Sequence, residues 1–411
     1  MNILYIDHYA GGPAYGMEFR PFYLAREWVT AGHSVTVVGA SQSHVRDRQP
    51  AVSGTVAVEF VEGIRFVWCA TPRYTGNGVG RVVNILVFLH RLGRWQKWIS
   101  EVPDVVIASS TYPMDIRPAA RLARFYGARL VWEVHDLWPL SPIELGGMSR
   151  WNPLIVWMQR AENYACQKAD VVVSMLPRAN LYLVGQGMRL ENFSYIPNGI
   201  DPAEWGDLAS HSIPARHQRE LFDLRAAGRK LIAYAGAHGV ANALGTILDA
   251  AALCRDLPVT FLLIGNGAEK ISLQARCTSL GLSNVVFLDQ VPKSTIPALL
   301  RQMDILYIGL QRQSLFRFGI SPNKLMDYMM AERPVICAID AGNDPVTEAQ
   351  CGLTVLPENP EALTAAIRDL IARPDDELVE MGARGRAYVE TMHTYPVLAK
   401  RFLAAVQGSR T

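Results

Sequence analysis

The sequence predicts an α/β protein: two doubly wound, Rossmann-like domains, each a parallel sheet covered by helices, facing an inter-domain cleft. Three observations predict it. The 411 residues are too many for one ordinary core and suggest two or three domains. Short apolar runs alternate with amphipathic stretches of helical spacing, the pattern of strands buried on both faces. After a turn-rich midpoint, the pattern begins again near Leu231.

Taken in order, Ile3-Leu4-Tyr5-Ile6-Asp7 reads as a strand, followed by a loop with glycines at 11, 12 and 16. A helix carries Phe22, Leu24, Ala25, Trp28 and Val29 to a stop at Gly32, and Val35–Val38 is the next strand. That order is a βαβ opening. Further strands are expected at 104–108, 129–133, 171–174 and 194–196. The run from Ile196 to Pro202, Ile-Pro-Asn-Gly-Ile-Asp-Pro, concentrates turn formers. Beyond Gly228 come a strand at Leu231–Ala235, the small-residue loop Gly236-Ala237-His238-Gly239 and a helix from Leu244 to Cys254. Strands follow at 259–264, 285–288, 305–308 and 334–338. The domains therefore span 1–200 and 201–390, and 391–411 carries a last apolar-periodic helix from Pro396. In open parallel sheets ligands bind beyond the carboxyl ends of the strands, so two facing sheets would enclose one site.

Composition narrows the function. Half of the residues are hydrophobic and 19% are charged, which excludes a disordered chain. Forty basic against 38 acidic side chains leave a formal charge of +2, too little for a nucleic-acid partner. The cysteines at 69, 166, 254, 277, 337 and 351 form no C-x-x-C pair and read as small buried hydrophobes in a reducing compartment. Neither a signal peptide nor a membrane-crossing run is visible, so a cytoplasmic location is expected. One segment, 81–99, places Val82, Ile85, Leu86, Leu89, Leu92 and Trp95 at helical spacing among Arg81, Arg91, Arg94 and Lys97. It reads either as a helix packed on a sheet or as a peripheral contact with an anionic membrane face.

The glycine loops do not imply a nicotinamide cofactor. Gly11-Gly12-x-x-x-Gly16 misses the dinucleotide spacing, and Val35–Val38 runs into Gly39-Ala40-Ser41 where a ribose-binding acid is needed. No cofactor and no metal site are expected.

The most informative stretch is Phe318-Gly319-Ile320-Ser321-Pro322-Asn323-Lys324-Leu325-Met326-Asp327. Ser321 suits an N-cap and Pro322 the first helical position. Free amides at such a terminus favour an anion, whereas Lys324 in the first turn opposes the helix dipole unless an anion is bound. Asp327, three residues on, shares the face of Lys324 and could accept hydrogen bonds from a ribose diol. The plain alternative is a capped helix with a weak Lys324–Asp327 surface pair. Gly319 before the cap lets backbone approach a bulky ligand closely, which tilts the balance toward binding.

That run, FGISPNKLMDYMMAERPVI, resembles the donor-binding motif of retaining glycosyltransferases of family 4, which have the GT-B fold. The resemblance spans nearly the whole chain through WEVHDLWPLSP at 132–142, IPNGID at 196–201 and the restart at YAGAHG. More narrowly, it is similar to bacterial transferases of O-antigen (lipopolysaccharide) and capsule assembly, including L-fucosamine transferases.

The resemblance implies that Ser321, Pro322, Asn323 and Lys324 contact the diphosphate of a UDP-sugar donor and Asp327 the ribose, with Lys324 counted as catalytic. Gly319 stands where relatives carry the first of two paired glutamates. His238 and Asn242, after Gly236, stand where many relatives have Arg and Lys, so Lys324 carries more of the charge, with Arg312 or Arg317 either as helpers or as plain surface residues. Gly12 and Gly16 would let the first loop approach the donor; Glu18 and Arg20 either meet the acceptor or simply start a helix, and His8, at the carboxyl end of the first strand, is a further acceptor-side candidate.

By the resemblance His135, beyond a strand end, matches the histidine that contacts the transferred sugar and is counted as catalytic; without it, a lone loop histidine reads as solvated or structural. As a neutral imidazole it could donate to a sugar hydroxyl, oriented by Asp136 or Glu133.

The function implied is retaining, metal-independent transfer of a sugar, an N-acetylated 6-deoxyhexose, from UDP to a lipid-diphosphate-linked glycan. Two other classes stay open: a UDP-sugar 2-epimerase on the same architecture, and a non-catalytic nucleotide-sugar-binding scaffold.

Overall fold

The computed structural model describes residues 1–76, 78–94, 98–206 and 212–408. By contact the chain divides into two units. One holds Met1–Asn198, Phe318–Ser321 and the segment from Tyr395; the other holds Gly199–Arg317 and Pro322–Thr394.

The first unit is an eight-stranded sheet of β1 (Asn2–Ile6), β2 (Ser34–Ala40), β3 (Val56–Val61), β4 (Ile64–Cys69), β5 (Val105–Ala108), β6 (Arg129–Val134), β7 (Val171–Ser174) and β8 (Phe193–Tyr195). Its order is β3-β4-β2-β1-β5-β6-β7-β8. The strands of the middle are short Val/Ile runs because both faces are covered: every residue of β5 and β7 is buried. The strand order reverses between β1 and β5, so that junction is the topological switch point, where such sheets leave room for a ligand.

The expectation of wholly parallel sheets fails at one edge. β3 and β4 form an antiparallel hairpin that the sequence reading passes over. Glu62 and Gly63, both at positive φ (50° and 79°), make the two-residue turn that matches strand twist. The alternation in Val-Ala-Val-Glu-Phe-Val before that Glu-Gly pair was the available signal.

The helix Arg20–Thr30 lies under this sheet and the last helix, Tyr395–Gly408, packs on it. Trp28 Nε1 donates to the Ala399 carbonyl at 3.1 Å, the Trp28 and Phe402 rings are 5.1 Å apart, and Tyr23 stacks on Tyr395 at 4.7 Å. The apolar period of the final segment is thus spent on the first unit, to which its helix belongs.

The helix expected within 81–99 is Val79–Leu92. It buries Asn84, Ile85, Phe88 and Leu92 and exposes Val79, Val83 and Leu86. Trp98, at the end of the same segment, is buried and so cannot reach a membrane surface; Trp95 and Lys97 lie outside the described residues. No described helix is long and apolar enough to cross a membrane. All six cysteines are free thiols and buried.

The second unit is a parallel six-stranded sheet of β9 (Lys230–Ala235), β10 (Val259–Ile264), β11 (Val285–Leu288), β12 (Ile305–Gly309), β13 (Val335–Ala338) and β14 (Gly352–Thr354). Its order is β11-β10-β9-β12-β13-β14, with the reversal between β9 and β12. Only β14 is absent from the sequence reading; three residues at a sheet edge carry too little apolar pattern to register.

Candidate functional site

At the carboxyl end of the second sheet, the loops after β9, β10 and β11 and the helix Asn323–Met330 surround a pocket of about 320 Å³. Ala235, Gly236, Gly265, Gln290, Lys324 and Asp327 are among its lining residues. The helix starts without a side-chain cap; the Leu325 amide donates to the Pro322 carbonyl at 3.1 Å, which leaves the amides of Asn323 and Lys324 to an anion.

Lys324 extends from that turn to the end of β9. Its Nζ donates to the Tyr234 hydroxyl at 2.8 Å and to Asn242 Oδ1 at 3.0 Å. Burial lowers its ammonium to about 8. Gly236 leaves room for this approach: a Cβ there would lie 2.8 Å from Lys324 Cδ and 3.0 Å from Nζ, and the lysine tip would have to shift. The structure therefore brings together Gly236, Asn242, Lys324 and Asp327. Burial raises Asp327 to about 7, with Lys293 opposing and Glu204 reinforcing. An ammonium, free helix amides and a carboxylate on one pocket wall can hold a diphosphate and a diol at once.

Ser321 is not the N-cap. Pro322, at φ −75° and ψ 123°, is the last non-helical residue, and the helix begins one position later than expected, at Asn323. The Ser321 hydroxyl instead accepts from the Asn198 backbone N–H at 2.8 Å, and its carbonyl accepts from Asn198 Nδ2 at 2.9 Å. Gly319 and Ser321 fold with the first unit, Pro322 and Asn323 with the second. Gly319 has φ +101°, a conformation that an acidic side chain would adopt only with strain. The missing glutamate is thus matched by a backbone that favours glycine.

His238 departs from the expected diphosphate grip. It is fully buried, and neither ring nitrogen has a partner. Burial, with Lys270 and Lys324 nearby, lowers it to about 4, so it adds no charge at neutral pH. Arg312 and Arg317 are exposed, with Arg312 3.8 Å from Asp340 and Arg317 Nη1 donating to the Ser314 carbonyl at 2.6 Å.

In the first unit, His135 follows β6 beside the β1–β5 switch point. It is 8% exposed; its Nε2 is 2.8 Å from Ser109 Oγ and 3.6 Å from Glu133 Oε2. The expected neutral imidazole is overturned. Burial alone would lower the ring, but Glu133 outweighs it and His135 rises to about 9. Glu133, not Asp136, is the orienting acid.

Arg20 cannot meet an acceptor as expected. It is 1% exposed, and its Nε and Nη2 donate to Glu133 Oε1 at 3.0 and 2.9 Å. A buried arginine of this kind serves a buried carboxylate. His8 is likewise inside the wall: fully buried, with Nδ1 2.6 Å from the Tyr112 hydroxyl and its ring against Tyr9 and Phe88. Burial and Arg46 lower it to about 3.

The Gly12 and Gly16 amides are also spent, on each other's carbonyls at 2.9 and 2.8 Å. That reciprocal pair closes the loop on itself and removes both amides as phosphate donors. Glu18 is partly exposed, and its charge reinforces the cationic form of His135.

Sequence reasoning does not single out Tyr234, Tyr328, Ser109 or Tyr5. The Tyr328 hydroxyl both accepts from Ala235 N–H (2.8 Å) and donates to its carbonyl (3.1 Å), pinning the helix to β9. Such aromatics read as core residues. Ser109, just past a strand end, was the one with a positional signal. Among the described residues no group of three or more His, Cys, Asp or Glu is placed to hold a metal ion.

Both sites sit in recognisable domains. Residues 16–199 match the family model of a glycosyl transferase 4-like domain, and residues 229–373 that of glycosyl transferases group 1. The chain carries the two domains of a glycosyltransferase. His135 falls within the first domain and the Lys324 pocket within the second.

The glycosyl transferase WcaI of Escherichia coli K12, whose name places it in colanic acid biosynthesis, is 25% identical over 403 residues, covering 93% of this chain and 94% of WcaI. Among solved structures, Anabaena Alr3699/HepE in complex with UDP and glucose superposes with a TM-score of 0.66 at 16% identity, over 99% of this chain and 100% of that one. WaaG, a glycosyltransferase involved in lipopolysaccharide biosynthesis, gives 0.64 at 15% identity over 99% of both chains. These structures share the GT-B architecture of two Rossmann-like domains with this glycosyltransferase.

Proposed function

We propose that this glycosyltransferase is a retaining, metal-independent enzyme of surface-polysaccharide assembly. It moves an N-acetylated 6-deoxyhexose from a UDP-sugar to a lipid-diphosphate-linked glycan of O-antigen or capsule. The observation that carries the reading is the Lys324 pocket: an uncapped helix start, a partly buried ammonium and the Asp327 carboxylate on one wall. The similarity to WcaI and the UDP held by HepE support the pathway class and the nucleotide. The sugar rests on the subgroup resemblance of the FGISPNK motif.

In this reading the bond between the sugar anomeric carbon and the diphosphate oxygen breaks first. The acceptor hydroxyl then adds from the same face, and its proton passes to the departing phosphate oxygen. Lys324 and the first-turn amides stabilise the charge that grows on the diphosphate. Asp327 accepts from the ribose hydroxyls, and His135 donates to the transferred sugar. Both acts place the reacting groups rather than supply a nucleophile. The lipid end of the acceptor is assigned to the helix Val79–Leu92, which exposes Val79, Val83 and Leu86 at helical spacing and is followed by exposed Arg94. An apolar stripe followed by a basic residue suits an anionic membrane surface.

The test is a donor panel with extracted lipid-linked acceptors, with the anomeric configuration of the product read by NMR. Retention supports the mechanism and inversion rejects it. Donor isomerised without acceptor identifies the 2-epimerase instead. Tight UDP binding without turnover on any acceptor identifies the scaffold.

A further inference from the structure

We propose that Glu133, clamped by Arg20, is a positioning residue for His135: it fixes a proton on Nε2 of the ring and leaves Nδ1 to address the ligand. The inference rests on reading His135 as ligand-facing and says how that residue is prepared.

The geometry is a closed count of protons. Glu133 is fully buried. Its Oε1 accepts two hydrogen bonds from Arg20, and its Oε2 accepts from the Tyr5 hydroxyl and lies 2.6 Å from Ser109 Oγ. Four donors around one carboxyl group leave no room for a proton of its own, so Glu133 is a carboxylate.

Ser109 has a single hydroxyl proton, and an oxygen 2.6 Å from that carboxylate must donate it there. The serine oxygen is then an acceptor toward His135 Nε2 at 2.8 Å, so Nε2 carries hydrogen. Nδ1 makes no hydrogen bond among the described residues. Arg20 is held in turn by the carbonyls of Ile196 and Pro197, so the pair is fixed from outside as well. The logic is that of a histidine whose second nitrogen is set by a buried acid behind it.

The wider surroundings act in the same direction. His135 faces Glu133 and Asp136 on its own segment, Asp7 at the end of β1, Glu18 in the next loop and Asp115 in the turn after β5. Arg20, on the first helix, is the opposing charge, and it is bound to Glu133. The ring therefore holds both protons at neutral pH, and Nδ1–H is a charge-assisted donor, roughly twice as strong as a neutral one.

The test needs no substrate. The ring nitrogens of histidine-labelled protein are followed by NMR against pH, with His135→Ala to assign the signal. In wild type His135 should titrate near 9 with Nε2 protonated throughout. In Glu133→Gln the midpoint should fall to about 6.5 or below, the ordinary histidine range or lower. If Glu133→Gln does not fold, Ser109→Ala keeps the Arg20–Glu133 pair and breaks only the bridge. Its midpoint should fall too, though less. An unchanged midpoint in either folded variant, or an Nδ1–H tautomer in wild type, overturns the proposal.

In activity, Glu133→Gln should lose kcat/KM as pH rises through about 6.5, where wild type does not; a merely structural loss would lower the whole profile without moving it. Because the titration is read on protein alone, absence of sugar transfer would count against the proposed function and leave the proton placement standing.

Discussion

The ammonium of Lys324 donates to the Tyr234 hydroxyl at 2.8 Å and sits 4.7 Å from the centroid of the same ring. One aromatic residue of β9 thus holds the charge ready at the pocket wall, by a hydrogen bond and by a cation–π contact. A flexible lysine fixed in advance loses less freedom when an anion arrives.

Lys324→Ala should therefore weaken UDP binding by about 10- to 100-fold, the range of about 1.5–3 kcal/mol for hydrogen bonds to charged groups. Titration calorimetry with UDP reads it directly. Near-normal affinity would remove Lys324 from the diphosphate site.

Tyr234→Phe keeps the ring and removes the hydroxyl, which also donates to the Ala237 carbonyl at 2.7 Å. The bond from the charged Lys324 ammonium and the bond to the Ala237 carbonyl are both lost, while Lys324 keeps Asn242 and its place over the ring. UDP affinity should fall by less than about 30-fold, the equivalent of about 2 kcal/mol. A larger loss would mean that Tyr234 touches the donor itself.

The pocket also sets a pH window. Burial raises the Asp327 carboxyl to about 7 and lowers the Lys324 ammonium to about 8. Donor recognition needs the carboxylate and the ammonium, so kcat/KM for the donor should rise as pH increases through about 7 and fall above about 8. Lys324→Arg, whose side chain stays protonated, should abolish the alkaline fall. A profile flat from pH 6 to about 9 in the wild type would contradict both assignments.

Arg20→Leu should destabilise the first unit by about 3–5 kcal/mol, because it strands the Glu133 carboxylate in a buried site. Arg20 and the neighbouring donors hold that carboxyl well below the usual range, against the effect of burial. A depressed acid stabilises the fold above its ordinary pKa and loses that contribution as pH falls below it. The gap between wild type and variant in urea unfolding should accordingly be large at neutral pH and narrow in acid. An equal gap at both would rule out the ion pair as its cause.

Vesicle flotation tests the exposed stripe. Val83→Asp with Leu86→Asp should reduce binding to anionic vesicles and leave soluble-donor binding unchanged, since both side chains are exposed and outside the pocket. Equal flotation of variant and wild type would remove the membrane from the proposal.

Much of the fold was legible because its strands are short buried runs with little alternative use. Val259–Ile264, Val285–Leu288 and Val171–Ser174 fall on the expected residues. The exceptions are the hairpin of β3 and β4 and the three-residue edge strand β14: β3 alternates because one side is partly open, whereas β4 is a buried interior strand that the reading passed over with it. At the site, Lys324 and Asp327 could be read from helical spacing, since the partners lie within one turn. Arg20 could not. It lies 113 residues from Glu133 and 177 from Pro197, and nothing local distinguishes a buried arginine from an exposed one.

By itself the sequence determined the two α/β units, the helix that begins beside Lys324 and the placing of His135 beyond a strand end. All of these follow from periodicity and short-range chemistry. Only the tertiary structure decided that Ser321 anchors Asn198 rather than capping the helix, that His8 and His238 are buried and neutral, and that His135 is a cation. Each of those outcomes depends on which distant donors and acceptors share a dry interior, where an unpaired charge is costly and one buried carboxylate can reset its neighbours.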